Sequence, residues 1–444
     1  MLILVPLLAF VLVQAFWWRG RSAQNYAALD ARALVQVGLV FMLVPALVGD
    51  GLLLEVLRRL RGKSAAWFAG IYLLGLVSTL WSVNAVYSAY RAFECLVILV
   101  TLCALQYAYG RFQQAETRTL LTLLGIAFLS VAQTASARGL TLSPEAWHSV
   151  VNGSLGAMVL CYCLAEMASS RALTPSYQRR FLACSVLGVL LVVMSSSAGT
   201  NVALVLGLGV VAFLSEKRRW RILCLLGSLA AVLAFLLWGG VELMQSLIFP
   251  GKSAETIASG NGRDVLWALY FEKIMERPWL GWGFAMLPRM VEERYATSSH
   301  NSIIAIAGGM GVAGLLTLVI FMIAYGREVL AAIKLNLPGA RGCLAASVVA
   351  FTNSQSNGAF GEQVAMSSLG VFLMLGFFTI FVAARGGNRL REGPVRPITP
   401  FLRRIPPVGD GERFGQPGDR SRGPFPGKPR DDPALRRASR GSHS

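Results

Sequence analysis

Charge is what this sequence has least of. Only 14% of its 444 residues are charged while 55% are hydrophobic, against about 25% charged residues in an ordinary soluble domain. That balance excludes a soluble globular chain. Histidine is scarce, at three residues. The seven cysteines, Cys95, Cys103, Cys161, Cys163, Cys184, Cys224 and Cys343, all fall in apolar stretches, and none is spaced for zinc or redox work. With no Asp-rich or His/Cys cluster either, no metal and no cofactor are expected. No internal repeat is visible, which counts against the two-halved build of many transporters.

What is present is a series of apolar blocks of roughly 16 to 24 residues, the length an α-helix needs to cross about 30 Å of hydrocarbon. They predict an all-α polytopic membrane protein of about twelve transmembrane helices, near 1–18, 34–50, 65–81, 92–109, 119–135, 150–168, 181–196, 199–214, 222–240, 301–324, 343–356 and 364–384. The first block lacks a basic start and runs into Trp17-Trp18-Arg19 instead of a small-residue cleavage site, so it reads as a retained anchor.

A net charge of +18 would suggest nucleic acid in a soluble chain. Here it follows topology. Arg58, Arg59, Arg61 and Lys63, then Arg111 and Arg118, Arg171, Arg179 and Arg180, Lys217 to Arg221, and Arg327, Lys334 and Arg341 place 16 basic residues in alternate loops; the other short loops hold five. This positive-inside pattern predicts both termini in the cytoplasm, membrane lipids as the surroundings and no nucleic-acid partner. It also requires an even number of crossings over the charge-free stretch 181–214, hence two helices meeting near Ser195-Ser196-Ser197. The resulting organisation is 1–240 with helices one to nine, a large external loop over 241–300 between helices nine and ten, 301–384 with helices ten to twelve, and a tail over 385–444. That tail carries 14 Arg/Lys against 6 Asp/Glu and ten of the 18 prolines, a composition that builds no core.

The external loop is too apolar for a linker. After Gly260 and Gly262, Arg263-Asp264 opens a helical pattern in which Leu266, Trp267, Tyr270, Phe271 and Ile274 form one stripe, away from Glu272, Lys273 and Glu276. This predicts an amphipathic helix lying on the membrane surface or on the bundle. Pro278 ends it, an aromatic turn Trp279-Leu280-Gly281-Trp282-Gly283-Phe284 follows, and Arg289 and Arg294 come after. Arg263 carries two readings, an exposed structural arginine or a bidentate contact to phosphate or carboxylate. Trp267 and Trp282 carry two as well, platforms for sugar faces or interfacial anchors.

At the end of the loop stand His300 and Asn301, at the expected start of a membrane helix. Unpaired backbone N–H groups and the helix dipole make such a place attractive to anions. The same field disfavours imidazolium and keeps a histidine ready to accept a proton. Downstream, Gly308, Gly309, Gly311, Ala313 and Gly314 predict a smooth face for close approach of another helix. Arg91 and Glu94, charged residues in or near an expected span, are placed to pair at i, i+3. His148 and His443 suggest no role.

These residues resemble the O-antigen ligase and O-antigen polymerase superfamily. Its ligase motif, His then Asn, Ser or Gln, nine residues and Gly-x-x-Gly, fits His300-Asn301, Ser302 to Met310, and Gly311-Val312-Ala313-Gly314 without a gap. "GRDVLW" and "RPWLGWGF" are similar to the Gly-Arg-x-x-x-Trp and Pro-x-x-Gly-x-Gly pattern of exopolysaccharide polymerases, and "LWSVNAVYSAYRAFE" over 80–94 resembles a segment around an early external loop. The resemblance implies a metal-independent glycosyltransferase of the bacterial inner membrane. Its donor would be an undecaprenyl-pyrophosphate-linked glycan, and its acceptor a growing glycan or lipid A-core. His300 would then be the base and Arg263 a pyrophosphate ligand, with Asn301 orienting base or acceptor and Glu94 available at the donor site. One departure stands out: where members commonly carry Ser-Arg, this chain reads Ser195-Ser196-Ser197-Ala198-Gly199-Thr200, so Arg91, Arg289 and Arg294 become candidates for the missing cation. A transporter or lipid flippase is the alternative from another class.

Overall fold

Helix boundaries follow the apolar blocks closely, and the informative features lie where they do not. The computed structural model describes residues 2–16, 31–110, 115–138, 150–169, 173–195, 197–216, 218, 221–222, 263–291 and 298–384, and among these every regular element is helical. In chain order they are α1 (Leu4–Phe16), α2 (Ala31–Gly49), α3 (Leu52–Leu60), α4 (Ser64–Val77), α5 (Ala85–Gly110), α6 (Ala115–Arg138), α7 (Val150–Met167), α8 (Pro175–Ser195), α9 (Ala198–Leu214), α10 (Arg263–Glu276), α11 (Ser302–Lys334), α12 (Ala340–Ser354) and α13 (Met366–Phe377). The expected span 222–240 beyond its first residue, much of the loop 241–300, Cys224, His148, Arg294 and the tail from 385 with His443 lie outside the described residues.

Every other expected span falls on a helix, yet helix and crossing are not the same. Six helices, α2, α5, α6, α7, α8 and α11, are long and apolar enough to cross a membrane, or seven if the bent pair α3 and α4 is one span; α1, α9 and α13 are shorter apolar helices. Among the described residues, length and composition thus support six or seven of the roughly twelve expected crossings. The chain is nonetheless an integral membrane protein by its surface. Val189, Leu190 and Val193 of α8, Val205 and Leu206 of α9, and Leu316, Val319 and Ile323 of α11 all face outward, a surface that water penalises and lipid accepts.

Inside the bundle, Phe68 of α4 gathers the rings of Tyr72, Phe321, Phe360 and Phe372 at 4.8 to 5.7 Å. Beside it runs an apolar cavity of about 280 Å³, walled by Phe68, Phe321, Tyr325, Ser347, Phe351 and Phe360 among others. The stretch 181–214 is two helices, as parity required: α8 stops at Ser195, and Ser197 caps α9 by accepting a hydrogen bond from the Thr200 N–H. Two features escaped the hydropathy reading. Leu52, Val56 and Leu60, four residues apart and buried, make the supposed loop after α2 a short amphipathic helix, set at 108° to the α4 segment. And α11 runs to Lys334, ten residues past the expected end, so that Glu328 reaches the start of α4 and accepts hydrogen bonds from Ser64 N (2.9 Å) and Oγ (2.8 Å).

The largest departure is inside α11. Gly308, Gly309 and Gly311 do not serve a neighbouring helix; they receive the loop over 279–287, while Gly314 faces Met310 and Ile306 of its own helix. Gly311 adopts φ 60, ψ −152 and breaks the helix, so Val312 N–H donates to the Pro278 carbonyl (2.9 Å) instead of to its own helix. The carbonyls released by the break, Gly308 and Gly309, accept from Trp282 N–H (2.8 Å) and Gly283 N–H (2.9 Å). A Cβ at Gly281 would lie 2.6 Å from the Gly308 oxygen, and one at Gly311 would collide with the Trp279 backbone. Glycine is needed on both sides because backbone meets backbone.

Gly311→Ala is expected to lower the thermal midpoint of the detergent-solubilised protein, by a strain and overpacking cost of about 2 to 4 kcal/mol. The same change at Gly326, on the same helix but with open space around it, should leave the midpoint unchanged or raise it. Equal effects at the two positions would show that the break and its backbone bonds to 278–283 contribute nothing.

Candidate functional site

The break in α11 leaves a short helical segment, 302–310, whose N-terminus carries the His-Asn pair. Asn301 is its N-cap: Oδ1 accepts from Ile303 N–H (2.9 Å) and Ile304 N–H (3.1 Å), satisfying two of the donors that a helix start leaves open. His300 precedes it with φ 51, a left-handed conformation that costs a non-glycine residue about 1 to 3 kcal/mol and that clusters at functional sites. Its side chain is half-buried.

Two elements hold the residues before it. From α10, Trp267 Nε1–H donates to the Ser299 carbonyl (3.1 Å) and the Tyr270 hydroxyl to the Ser298 carbonyl (3.4 Å). From the connection between α12 and α13, Glu362 accepts from Ser299 N–H (2.8 Å), Ser299 Oγ–H (2.6 Å) and Ser298 Oγ–H (2.8 Å). Burial, and then the Glu362 charge, push the Tyr270 hydroxyl well above its ordinary pKa, so it stays a neutral donor. The same connection donates Ala359 N–H and Phe360 N–H to Ser302 Oγ (3.0 and 3.2 Å). Glu362 was not singled out in the sequence. A lone carboxylate in the polar stretch "NSQSNGAFGEQ" has no local pattern, and only its seclusion between two apolar helices would have marked it.

The loop helix sits on the bundle and not apart from it: Leu266 and Tyr270 pack with Leu287 and Ile304, flanked by Trp267, Ile274 and Trp282. Phe271, expected on that stripe, is 55% exposed, because the packed face is narrower than the apolar one. Arg263 opens the helix one turn before Trp267 on the same face. It is half-buried and makes no hydrogen bond or ion pair among the described residues, and burial alone pulls its pKa down. A guanidinium partly stripped of water, with no carboxylate partner among the described residues, has the chemistry to take an anion.

A second cationic group lies on α5 and the turn. Arg91 pairs with Glu94 at 2.9 Å, and both are buried. Arg91 Nε and Glu94 Oε1 find no partner among the described residues. The Tyr87 ring has two guanidiniums near it, Arg289 at 3.7 Å and Arg91 at 5.2 Å from its centroid. This group joins the His300 group through Cys95, whose thiol donates to the Glu362 carbonyl (3.3 Å), and through Ser88, which donates to Phe284 O (2.9 Å). Trp282 is less available than expected for a sugar. Its indole N–H donates to Lys273 O (2.8 Å) and the Arg277 guanidinium lies 4.2 Å from its ring centroid, so it anchors the turn. Trp267 and Asn301 likewise use their polar atoms to fix backbone.

The ligase motif thus corresponds to a built arrangement: histidine before a capped helix start, glycines at the break. Residues 183–319 match the family model described as O-antigen ligase. The O-antigen ligase segment contains Arg263, Trp267, Trp282, Arg289, His300, Asn301 and the Gly311 break, and the superfamily likeness read from the motifs is shown for it. Less than half the chain is matched, and Arg91, Glu94 and Glu362 lie outside the O-antigen ligase segment. No curated protein matches the chain.

Because Asp caps as well as Asn, Asn301→Asp should keep the thermal midpoint of the wild type, while Asn301→Ala should lose about 1 kcal/mol. If the site receives an anion, the Asp variant, though stable, should bind it more weakly. Unchanged binding in a stable Asn301→Asp protein would mean that the helix start does not face the ligand.

Proposed function

We propose that the chain is an O-antigen ligase-like membrane glycosyltransferase, moving a glycan from undecaprenyl pyrophosphate to a hydroxyl acceptor at the outer face of the bacterial inner membrane. The observation that carries the reading is His300, strained into a left-handed backbone at the capped start of α11 within a complete ligase motif. His300 acts as general base on the acceptor hydroxyl, whose oxygen attacks the anomeric carbon as the pyrophosphate leaves. Arg263, the α11 N-terminus and the Arg91–Arg289 group supply positive potential for that leaving anion. The apolar cavity beside Phe360, in the same connection as Glu362, takes part of the polyprenyl chain.

Ligase and polymerase differ only in acceptor, and the residues favour neither decisively: His300-Asn301 with Gly311 and Gly314 is the ligase pattern, Gly262-Arg263 with Trp267 the polymerase one. The transporter alternative gains one feature, a broken helix. The break does not favour it, since the carbonyls that a transporter would turn to an ion are already bonded to Trp282 and Gly283.

His300→Ala and Arg263→Ala are each expected to cut transfer at least about a hundredfold while the protein inserts normally. In a deletion strain complemented with either variant, surface polysaccharide and undecaprenyl-linked glycan are resolved by size. Single repeat units accumulating on lipid identify a polymerase, and long chains stranded on lipid a ligase. Unchanged pools with either variant would remove that residue from the mechanism.

A further inference from the structure

We propose that Glu362 is a positioning residue for His300: its carboxylate sets the hydroxyl directions of Ser298 and Ser299 and through them holds the histidine in its strained backbone conformation. The inference rests on the reading of His300 as general base, and it assigns a role to a residue beyond the O-antigen ligase segment.

A serine hydroxyl has one proton to give and lone pairs to receive. Ser298 Oγ lies 2.8 Å from Glu362 Oε2 and 3.2 Å from His300 N. A carboxylate only accepts, so the Ser298 proton points to Glu362 and its lone pair faces the His300 N–H. Ser299 repeats the arrangement. Its Oγ is within reach of Glu362 Oε1 (2.6 Å), the Asn301 carbonyl (2.9 Å) and the Asn301 N–H (3.3 Å). The short charge-assisted bond takes the proton, and the lone pair is left for Asn301 N–H. One buried carboxylate therefore orients two hydroxyls that receive the backbone N–H groups of His300 and of its cap.

The geometry is closed from the other side. Trp267 and Tyr270 hold the carbonyls of the same two serines, so residues 298 and 299 are pinned between α10 and Glu362, and His300 projects from a fixed frame. A backbone at φ 51 reverts to a commoner conformation unless its surroundings over-determine it. Were it to relax, the imidazole would move by an ångström or more, and a displacement of that size costs about a hundredfold in rate. Glutamine at 362 retains one acceptor oxygen but brings an NH2 donor to the other, so one serine hydroxyl must turn its proton elsewhere and loses the charge-assisted bond that fixed its direction.

The test uses the full-length protein in nanodiscs with the undecaprenyl-linked glycan extracted from the deletion strain. The variants are Glu362→Gln, Ser298→Ala, Ser298→Thr, the double variant Glu362→Gln/Ser298→Ala and His300→Ala. Folded Glu362→Gln should show kcat at least tenfold lower with KM within about twofold. Ser298→Ala should behave alike, Ser298→Thr should recover kcat, and the double variant should lose no more than the worse single one, since both act on one chain of bonds. A merely structural role would lower the yield and thermal midpoint and leave kcat per folded molecule alone. Wild-type kcat in folded Glu362→Gln, or a loss confined to KM, overturns the proposal while an inactive His300→Ala leaves the functional reading standing. An active His300→Ala overturns the reading itself. Should Glu362→Gln yield no folded protein, Ser298→Ala and Ser298→Thr decide by the same criteria.

Discussion

Everything at this end of the bundle depends on a helix that is not continuous. A membrane helix that opens its hydrogen-bond ladder must find new partners for the released groups, because hydrocarbon offers none. In α11 the released carbonyls of Gly308 and Gly309 and the Val312 N–H are all met by the backbone of 278–283. The loop is thereby fixed to the bundle at a defined register. From that register follow the reach of Phe284 N–H to Ser78 Oγ (3.0 Å), the packing of Leu287 with Ile304, and the position of Arg289 over Tyr87. The break also shortens the segment carrying His300 and Asn301 to about two turns, short enough to be aimed by its own contacts instead of by the whole length of α11.

Charge is rare in this chain, and where it is buried it has a defined task. Glu166 accepts from Gly339 N–H (3.0 Å) and Gly342 N–H (2.9 Å), capping α12, and Glu328 does the same for α4. Arg341 is tied to Glu216. These carboxylates complement helix dipoles, and removing one would orphan buried donors. Arg263 differs from them, since no anion among the described residues answers its guanidinium. On the proposed reading the two kinds of group divide the work: acids that fix backbone keep the frame rigid, and the open cation is the one that would meet a leaving anion.

The sequence made the helices legible because hydropathy is a direct record of burial in lipid, and Ser197 was legible as a break because charge parity demanded one. His300 and Asn301 were legible as a pair at a helix start. What the glycines at 308, 309 and 311 receive was not. A smooth face signals close approach without naming the partner, and a tight turn fits it as well as a helix does. The α3 segment was hidden by its basic residues, since Arg58, Arg59 and Arg61 mark a loop to a charge count while Leu52, Val56 and Leu60 bury one face. The tryptophans stayed open between sugar platform and anchor for a related reason. Composition suggests what an indole can stack on, whereas its role here is set by the N–H, donated to Ser299 O by Trp267 and to Lys273 O by Trp282.

Glu362 shows where a local motif stops being informative. The O-antigen ligase segment ends at residue 319, yet the two serines before His300 are oriented by a residue on a different helix connection, and the Arg91–Glu94 pair comes from α5, far upstream. Each contributes through a single side chain in an otherwise apolar neighbourhood, a signal too sparse for a pattern of spacing to hold. The motif specifies a histidine and a helix that can break; the frame that holds the histidine is assembled from α5, α10 and the α12–α13 connection. A chain that kept His300-Asn301 and Gly311 but lost that frame would still pass for a ligase by its motif, with an imidazole free to leave the strained conformation that aims it.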